Sequence, residues 1–174
     1  IATLLNARWI IPVEPEHQVL EHYALAIQDG RILDLLPQDQ AATRYTAERC
    51  LNLNHHVLIP GLINAHTHAS MVLLRGFADD LPLMIWLQKH IWPAEARWLN
   101  PEFVHDGAQL AIAEMLRGGV TCFNDMYMFP EVTAEVARIA GIRACIGLIA
   151  LEFPTAYARH FDEYLHKGLK LHDT

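Results

Sequence analysis

The hydrophobic pattern of the chain changes near residue 58, from short alternating runs to longer strand-like and helix-like segments. Before that point, residues 23–27 alternate large and small apolar side chains, and Asp29-Gly30 provides a tight turn before the next apolar run. This pattern predicts a β-hairpin. Apolar runs at residues 4–11 and 50–53 predict two further strands. Four short strands make a small sheet, too thin to close a core alone.

After Pro60-Gly61 the pattern predicts strands alternating with helices. The expected strands span residues 62–66, 120–123 and 142–149, and the expected helices span 80–91 (ended by Pro93), 101–117 (capped by Asn100), 131–140 (closed by Gly141) and 155 onward. Apolar strands alternating with helices are typical of a parallel sheet covered on both faces. A closed (β/α)8 barrel needs eight such units and typically about 250 residues. The chain is therefore expected to be part of something longer.

Two histidines follow the first strand of this second part, in the motif Pro60-Gly61-Leu62-Ile63-Asn64-Ala65-His66-Thr67-His68. Residues two apart on a strand project to the same side, and barrel active sites form where parallel strands end. Two imidazoles there predict part of a divalent-metal site, with Asn64 and Thr67 as groups that orient the rings. Spacing alone leaves an inert pair in a polar turn equally open, because a chain with 11 histidines produces such pairs by chance.

Composition excludes several classes of function. The formal net charge is −7 and basic residues form no run, so nucleic-acid binding is not expected. Residues 50–74 lack charged side chains but carry too many polar ones to span a membrane. Cys50, Cys122 and Cys145 have no paired spacing, which predicts reduced thiols packed as small apolar residues in a cytoplasmic protein. Asp125, after the second strand, is expected first to cap a loop, although it could reach the same mouth.

The histidine motif, together with residues 73–81 (LLRGFADDL), 86–95 and 118–126 (GGVTCFNDM), resembles the amidohydrolase superfamily. Within it, the chain is most similar to the 5-methylthioadenosine/S-adenosylhomocysteine deaminase group and its chlorohydrolase-like relatives. The resemblance implies an α/β fold. Residues 1–58 would be the N-terminal strands of a small composite β-sandwich, and residues 59–174 the first three β/α units of an incomplete (β/α)8 TIM-type barrel.

The resemblance also implies a function, a metal-dependent hydrolytic deaminase that releases ammonia from 5-methylthioadenosine, S-adenosylhomocysteine or adenosine. It implies one divalent ion per complete chain, usually zinc with iron or nickel as alternatives, held by His66, His68 and later residues. Glu95 matches a carboxylate that accepts hydrogen bonds from ribose hydroxyls, and Trp86 matches an aromatic residue at the substrate. Without the resemblance, a helical surface acid and a core tryptophan are the preferred interpretations of these two residues.

The family's other metal ligands, its proton-shuttling glutamate and its late aspartate are expected beyond Thr174. We therefore expect no catalytic residue in this chain and no activity from it alone, because the remainder of the polypeptide is needed to complete the barrel. The expected partner is a purine nucleoside, with no nucleic acid and no membrane. Family members are often dimers or larger, which makes a homo-oligomer compatible with the resemblance.

Two alternatives stay open. One is another amidohydrolase, such as a guanine or cytosine deaminase or a chlorohydrolase, and Glu95 discriminates because a free base has no ribose to bind. The other is a non-catalytic barrel scaffold, against which the presence of both His66 and His68 speaks. Gly147 stands where some thioether-nucleoside deaminases have a substrate-holding arginine, so the preferred nucleoside is not fixed by the sequence.

Overall fold

The computed structural model describes residues 1–173. The chain separates into two compact units, Ile1–Pro60 and Gly61–Thr174. Within residues 1–173, no helix is long and apolar enough to cross a membrane.

The first unit is a four-stranded sheet with one short helix. Its elements are β1 (Thr3–Ile10), β2 (Leu20–Gln28), β3 (Arg31–Pro37), α1 (Gln38–Arg44) and β4 (Arg49–Leu58). The strand order is β3-β2-β1-β4, with β1 antiparallel to β2 and parallel to β4. The predicted hairpin is confirmed as β2-β3, and its turn places Asp29 and Gly30 at φ 51° and 70°. A small core underlies the sheet, made of Leu4, Ala24, Ala26, Leu36 and Ala41.

The second unit is a three-stranded parallel sheet with helices between its strands. In chain order its elements are β5 (Leu62–Thr67), a 3₁₀ helix (Ala69–Leu74), α2 (Leu83–Trp86), a π turn (Leu87–Ile91), α3 (Trp92–Trp98), α4 (Pro101–Arg117), β6 (Val120–Met126), α5 (Pro130–Ala140), β7 (Arg143–Gly147) and α6 (Phe161–His172). The strands lie in the order β5-β6-β7. The three predicted strand–helix units are therefore present.

Local capping follows the sequence at α4 and α5. The Asn100 side chain accepts a hydrogen bond from the Phe103 N–H at 2.8 Å, and Pro101 occupies the first turn of α4. Helix α5 ends at Gly141, whose φ of 72° favours a residue without a side chain. The predicted bounds of both helices are confirmed to within a residue.

Two helix predictions are wrong. Pro93 does not end the helical segment, because it lies in the first turn of α3 directly after the π turn at residues 87–91. A π turn widens the helix, and the first turn of a helix does not need the N–H that proline lacks. The last helix, α6, begins at Phe161 rather than at Thr155. Its N-terminus is capped by the His160 side chain, which accepts from the Glu163 N–H.

The 3₁₀ helix that follows β5 packs closely on α4 at Gly107. A Cβ atom at Gly107 would lie 2.6 Å from the Ser70 carbonyl oxygen, and the Ser70 hydroxyl donates to the Val104 carbonyl at 2.9 Å. Behind the sheet, Phe123 of β6 is fully buried among residues of α4 and α5. The segment directly after β5 is therefore fixed on the helical layer.

The cysteine prediction is correct in part. Within residues 1–173 the three cysteines form no disulfide. Cys50 and Cys145 are exposed, however, so the expectation that they pack as small apolar residues is wrong. Cys50 lies on β4, and its sulfur accepts a hydrogen bond from the Asn6 side chain at 3.4 Å.

Candidate metal and substrate site

The end of β5 brings the rings of His66 and His68 together. Their centroids lie 5.2 Å apart at an interplanar angle of 78°. The strand is irregular here, because Asn64 pairs with Phe123 whereas Thr67 pairs with Asp125, which gives β5 one extra residue. Bulges of this kind redirect side chains next to functional sites. The sequence predicted that the two rings would adjoin, but it did not predict the bulge.

The orientation of the His68 ring is fixed by the end of β6. His68 Nδ1 lies 2.6 Å from the Met126 carbonyl oxygen. Since a carbonyl only accepts, Nδ1 carries a proton, and in the neutral ring Nε2 then has the free lone pair. The predicted orienting group Asn64 instead accepts from the backbone N–H of His66 at 3.3 Å. A backbone carbonyl therefore holds the tautomer that a metal ligand requires.

Asp125 lies buried beside the turn that follows β5. Its side chain is 1% exposed, and Oδ1 accepts from the Ala69 N–H at 2.7 Å. Within the described residues, its second oxygen Oδ2 is buried without a hydrogen-bond partner. Burial raises the pKa of Asp125, while the Ala69 N–H and His68 act in the opposite direction. The predicted loop cap is thus present: Asp125 accepts from the backbone N–H of Ala69, the residue that follows His68.

These groups suit a small divalent cation. Zinc–nitrogen bonds are about 2.0–2.1 Å, and adjoining imidazoles with one unprotonated nitrogen are common zinc donors. The buried carboxyl group of Asp125, with one unpaired oxygen, lies near His68 and can serve as a further oxygen donor. Between Ile1 and Asp173, no cluster of three or more His, Cys, Asp or Glu side chains can hold a metal ion. The pair therefore fits as part of a ligand set rather than as a complete one.

A cavity of about 680 Å³ opens beside His68, and both predicted substrate residues line it. Trp86 lies at the end of α2 and Glu95 in the first turn of α3. Most of the remaining wall is apolar, including Leu83, Leu87, Ile91, Leu99, Met128 and Phe153. The π turn joins α2 to α3, so both residues belong to one continuous helical segment. The arrangement suits a flat, largely apolar ligand that carries a few polar groups.

Glu95 is held by a tyrosine that the sequence analysis did not single out. The Tyr127 hydroxyl donates to Glu95 Oε1 at 2.6 Å. Burial raises the pKa of Glu95, whereas the Tyr127 hydrogen bond and nearby His68 lower it. Burial, followed by the contact with Glu95, raises the pKa of Tyr127, so its hydroxyl remains a donor. Tyr127 lies directly after β6, two residues beyond Asp125, where no local motif marks it.

Gly147, at the end of β7, has a structural reason to lack a side chain. A Cβ atom there would lie 3.1 Å from the Asp125 carbonyl oxygen and 3.2 Å from Met126 Cβ. Close approach of β7 to the end of β6 therefore disfavours a side chain at this position.

Comparisons with known proteins identify the family of the chain. The model of the amidohydrolase family matches residues 57–173. A 5-methylthioadenosine/S-adenosylhomocysteine deaminase from Saccharophagus degradans is 51% identical over 170 residues, which cover 98% of this chain and 38% of that protein. The corresponding protein from Teredinibacter turnerae is 50% identical, with the same shares covered. The chain thus spans about two fifths of the length of the curated relatives it matches.

Solved structures show the same fold. A zinc-bound adenosine deaminase from Xanthomonas campestris has a TM-score of 0.95 and 50% identity, covering 99% of this chain and 39% of that one. Atrazine chlorohydrolase from Arthrobacter aurescens, complexed with zinc, has a TM-score of 0.82 at 21% identity, covering 99% and 43%. The predicted fold, the first part of a (β/α)8 barrel preceded by strands of a small sandwich, is confirmed by these neighbours. Motif, fold and family match agree, and the chain belongs to the amidohydrolase family.

Proposed function

We propose that this chain is part of a metal-dependent hydrolytic deaminase of adenosine-type nucleosides. One observation carries the proposal: Glu95 lies on the wall of the same cavity as His68. A carboxylate in an otherwise apolar cavity suits a ligand with hydroxyl groups, and ribose supplies them. The relatives named as nucleoside deaminases support the same substrate class.

In this proposal each residue has a defined task. His66 and His68 hold one divalent ion, zinc in preference to iron or nickel, through unprotonated ring nitrogens. When bound, such an ion lowers the pKa of water and makes hydrolysis feasible near neutral pH. Trp86 packs against the substrate, and Glu95 accepts hydrogen bonds from its ribose hydroxyls. The apolar wall excludes bulk water around the purine.

We further propose that residues outside these 174 supply the other ligands and complete the barrel. Leu62 and Ile63 of β5, an end strand of the sheet, are 50% and 70% exposed. An apolar strand at a sheet end is typical of a sheet that continues or is covered. We assign residues 1–58 to the sandwich and residues 59–174 to the first three barrel units of a cytoplasmic enzyme. A homo-oligomeric assembly is compatible with this assignment.

Ammonia release from the full-length protein tests the function. Adenosine, 5-methylthioadenosine and S-adenosylhomocysteine are compared with the free bases adenine, guanine and cytosine and with a chlorinated triazine. We expect nucleosides to react and the other compounds to remain unchanged. Glu95→Gln should raise KM for nucleosides about tenfold or more, since a hydrogen bond to a charged acceptor contributes roughly 1.5–3 kcal/mol.

Glu102→Gln, at an exposed acid in the first turn of α4, is the matched control and should leave KM unchanged. Turnover of free bases or the triazine alone would indicate another amidohydrolase activity. No ammonia from any substrate, together with no bound metal, would indicate a non-catalytic scaffold.

A further inference from the structure

Three consecutive residues at the end of β6 contact three different parts of the candidate site. Asp125 accepts the N–H of Ala69, directly after His68. The carbonyl of the next residue, Met126, accepts from the His68 ring. Tyr127 then donates its hydroxyl to Glu95. One short segment therefore fixes both the candidate metal ligand and the candidate ribose acceptor.

Tyr127 has little freedom to move. It is 4% exposed and packs among Leu99, Val104, Met128, Tyr157 and Tyr164. Its ring centroid lies 6.3 Å from that of His68. The buried Tyr127 hydroxyl therefore gives Glu95 a hydrogen-bond donor in a fixed position, whereas a water molecule in its place could move.

The hydrogen bond divides the two oxygens of Glu95 between two tasks. Oε1 is engaged by Tyr127 at 2.6 Å. Across residues 1–173, no hydrogen-bond donor engages Oε2. A carboxylate held at one oxygen loses most of its rotational freedom, and the other oxygen then offers its lone pairs in one direction.

We propose that Tyr127 is a positioning residue, which holds Glu95 so that Oε2 accepts the ribose hydroxyls and thereby sets the preference for ribonucleosides over deoxynucleosides. The inference rests on the proposed function. It differs from a purely structural role because loss of the hydroxyl should weaken discrimination at the ribose, while a packing role would affect all nucleosides alike.

The experiment uses the full-length protein with Tyr127→Phe, which keeps the ring and removes only the hydroxyl. Tyr164→Phe is the matched control, since Tyr164 belongs to the same buried cluster and its hydroxyl hydrogen-bonds Thr155 and the Phe153 carbonyl rather than Glu95. Values of kcat/KM are measured for adenosine, 2′-deoxyadenosine and 3′-deoxyadenosine, and zinc content is measured for each variant.

We expect wild type and Tyr164→Phe to prefer adenosine over both deoxynucleosides to the same degree. Tyr127→Phe should reduce that preference at least about fivefold, mainly through a higher KM for adenosine, in the range of a single lost hydrogen bond. Its zinc content should be unchanged. Adding Tyr127→Phe to Glu95→Gln should have no further effect on the preference, because Tyr127 acts through Glu95.

An unchanged preference in Tyr127→Phe, with Glu95→Gln impaired, would overturn the inference and leave the proposed function standing. An equal loss on all three nucleosides would assign Tyr127 to packing and also overturn it. A wild-type protein that releases no ammonia from adenosine, 5-methylthioadenosine or S-adenosylhomocysteine would overturn both the inference and the function.

Discussion

Asp125 shows at the residue scale how one buried side chain supports the candidate metal site. It supplies the acceptor for the Ala69 N–H, one residue beyond His68. We expect Asp125→Ala to lower the free energy of unfolding by about 1–3 kcal/mol more than Asp125→Asn does, because a buried N–H without an acceptor costs that much. Urea unfolding of the metal-free full-length protein measures the difference.

The asparagine variant is the control, since its side-chain oxygen can still accept from Ala69 and its volume is close to that of aspartate. Both substitutions remove the carboxyl group, so their difference reports on the acceptor together with the smaller volume of alanine. Equal unfolding midpoints for the two variants would show that the Asp125–Ala69 bond does not hold the turn.

Sequence reasoning at this scale found residues that carry their chemistry within a local motif. His66 and His68 stand two apart at a predicted strand end, and the structure brings their rings together. The groups that fix them come from far along the chain: the Met126 carbonyl is 58 residues from His68. Any residue type can supply a backbone carbonyl, so the sequence does not mark Met126 as the acceptor. The role of Tyr127 follows only from the structure, in which α3 places Glu95 within hydrogen-bond distance of its hydroxyl.

Gly107 is the contact at the element scale where α4 meets the 3₁₀ helix. A Cβ atom there would lie 2.6 Å from the Ser70 carbonyl oxygen and 2.8 Å from its Cα. We expect Gly107→Ala to destabilise the protein by about 1–3 kcal/mol, the usual cost of overpacking. Alanine has a higher helix propensity than glycine by about 1 kcal/mol, which offsets only part of the steric cost of the added methyl group. Thermal and urea unfolding measure the net change.

Gln109→Ala, two residues along at an exposed position of α4, is the control and should be neutral or slightly stabilising. A Gly107→Ala protein at least as stable as wild type would contradict the close approach of the two helices. The same contact packs the segment after His68 directly against α4.

The ends of helices were predicted correctly where a local capping residue determines them. They were predicted wrongly where the preceding turn of the helix determines them. Asn100 and Gly141 act through their own side chain or backbone angle, so α4 and α5 were predictable. Pro93 does not end its helical segment, because the π turn before it resets the hydrogen-bonding pattern. No residue-level rule for proline foresees a π turn, although such turns often lie at functional sites.

The pattern of the whole molecule was the most predictable part. The change from alternating runs to strand–helix units matches a four-stranded sheet followed by three parallel strands. The number of units, set against the eight of a barrel, indicated a chain shorter than its relatives, and it spans 38% of the Saccharophagus degradans protein. The cavity was not predictable from the pattern, because its wall combines residues from four separate stretches of the second unit, 68–71, 83–99, 126–128 and 149–156.

The central claim is that His66 and His68 together bind a catalytic divalent ion, and the most direct test is zinc content of the full-length protein. His105→Ala, at an exposed histidine of α4 paired with Asp106, is the matched control. We predict about one zinc per chain in wild type and in His105→Ala, and loss of bound zinc in His66→Ala and in His68→Ala. Wild-type zinc content in either of those two variants would contradict the account.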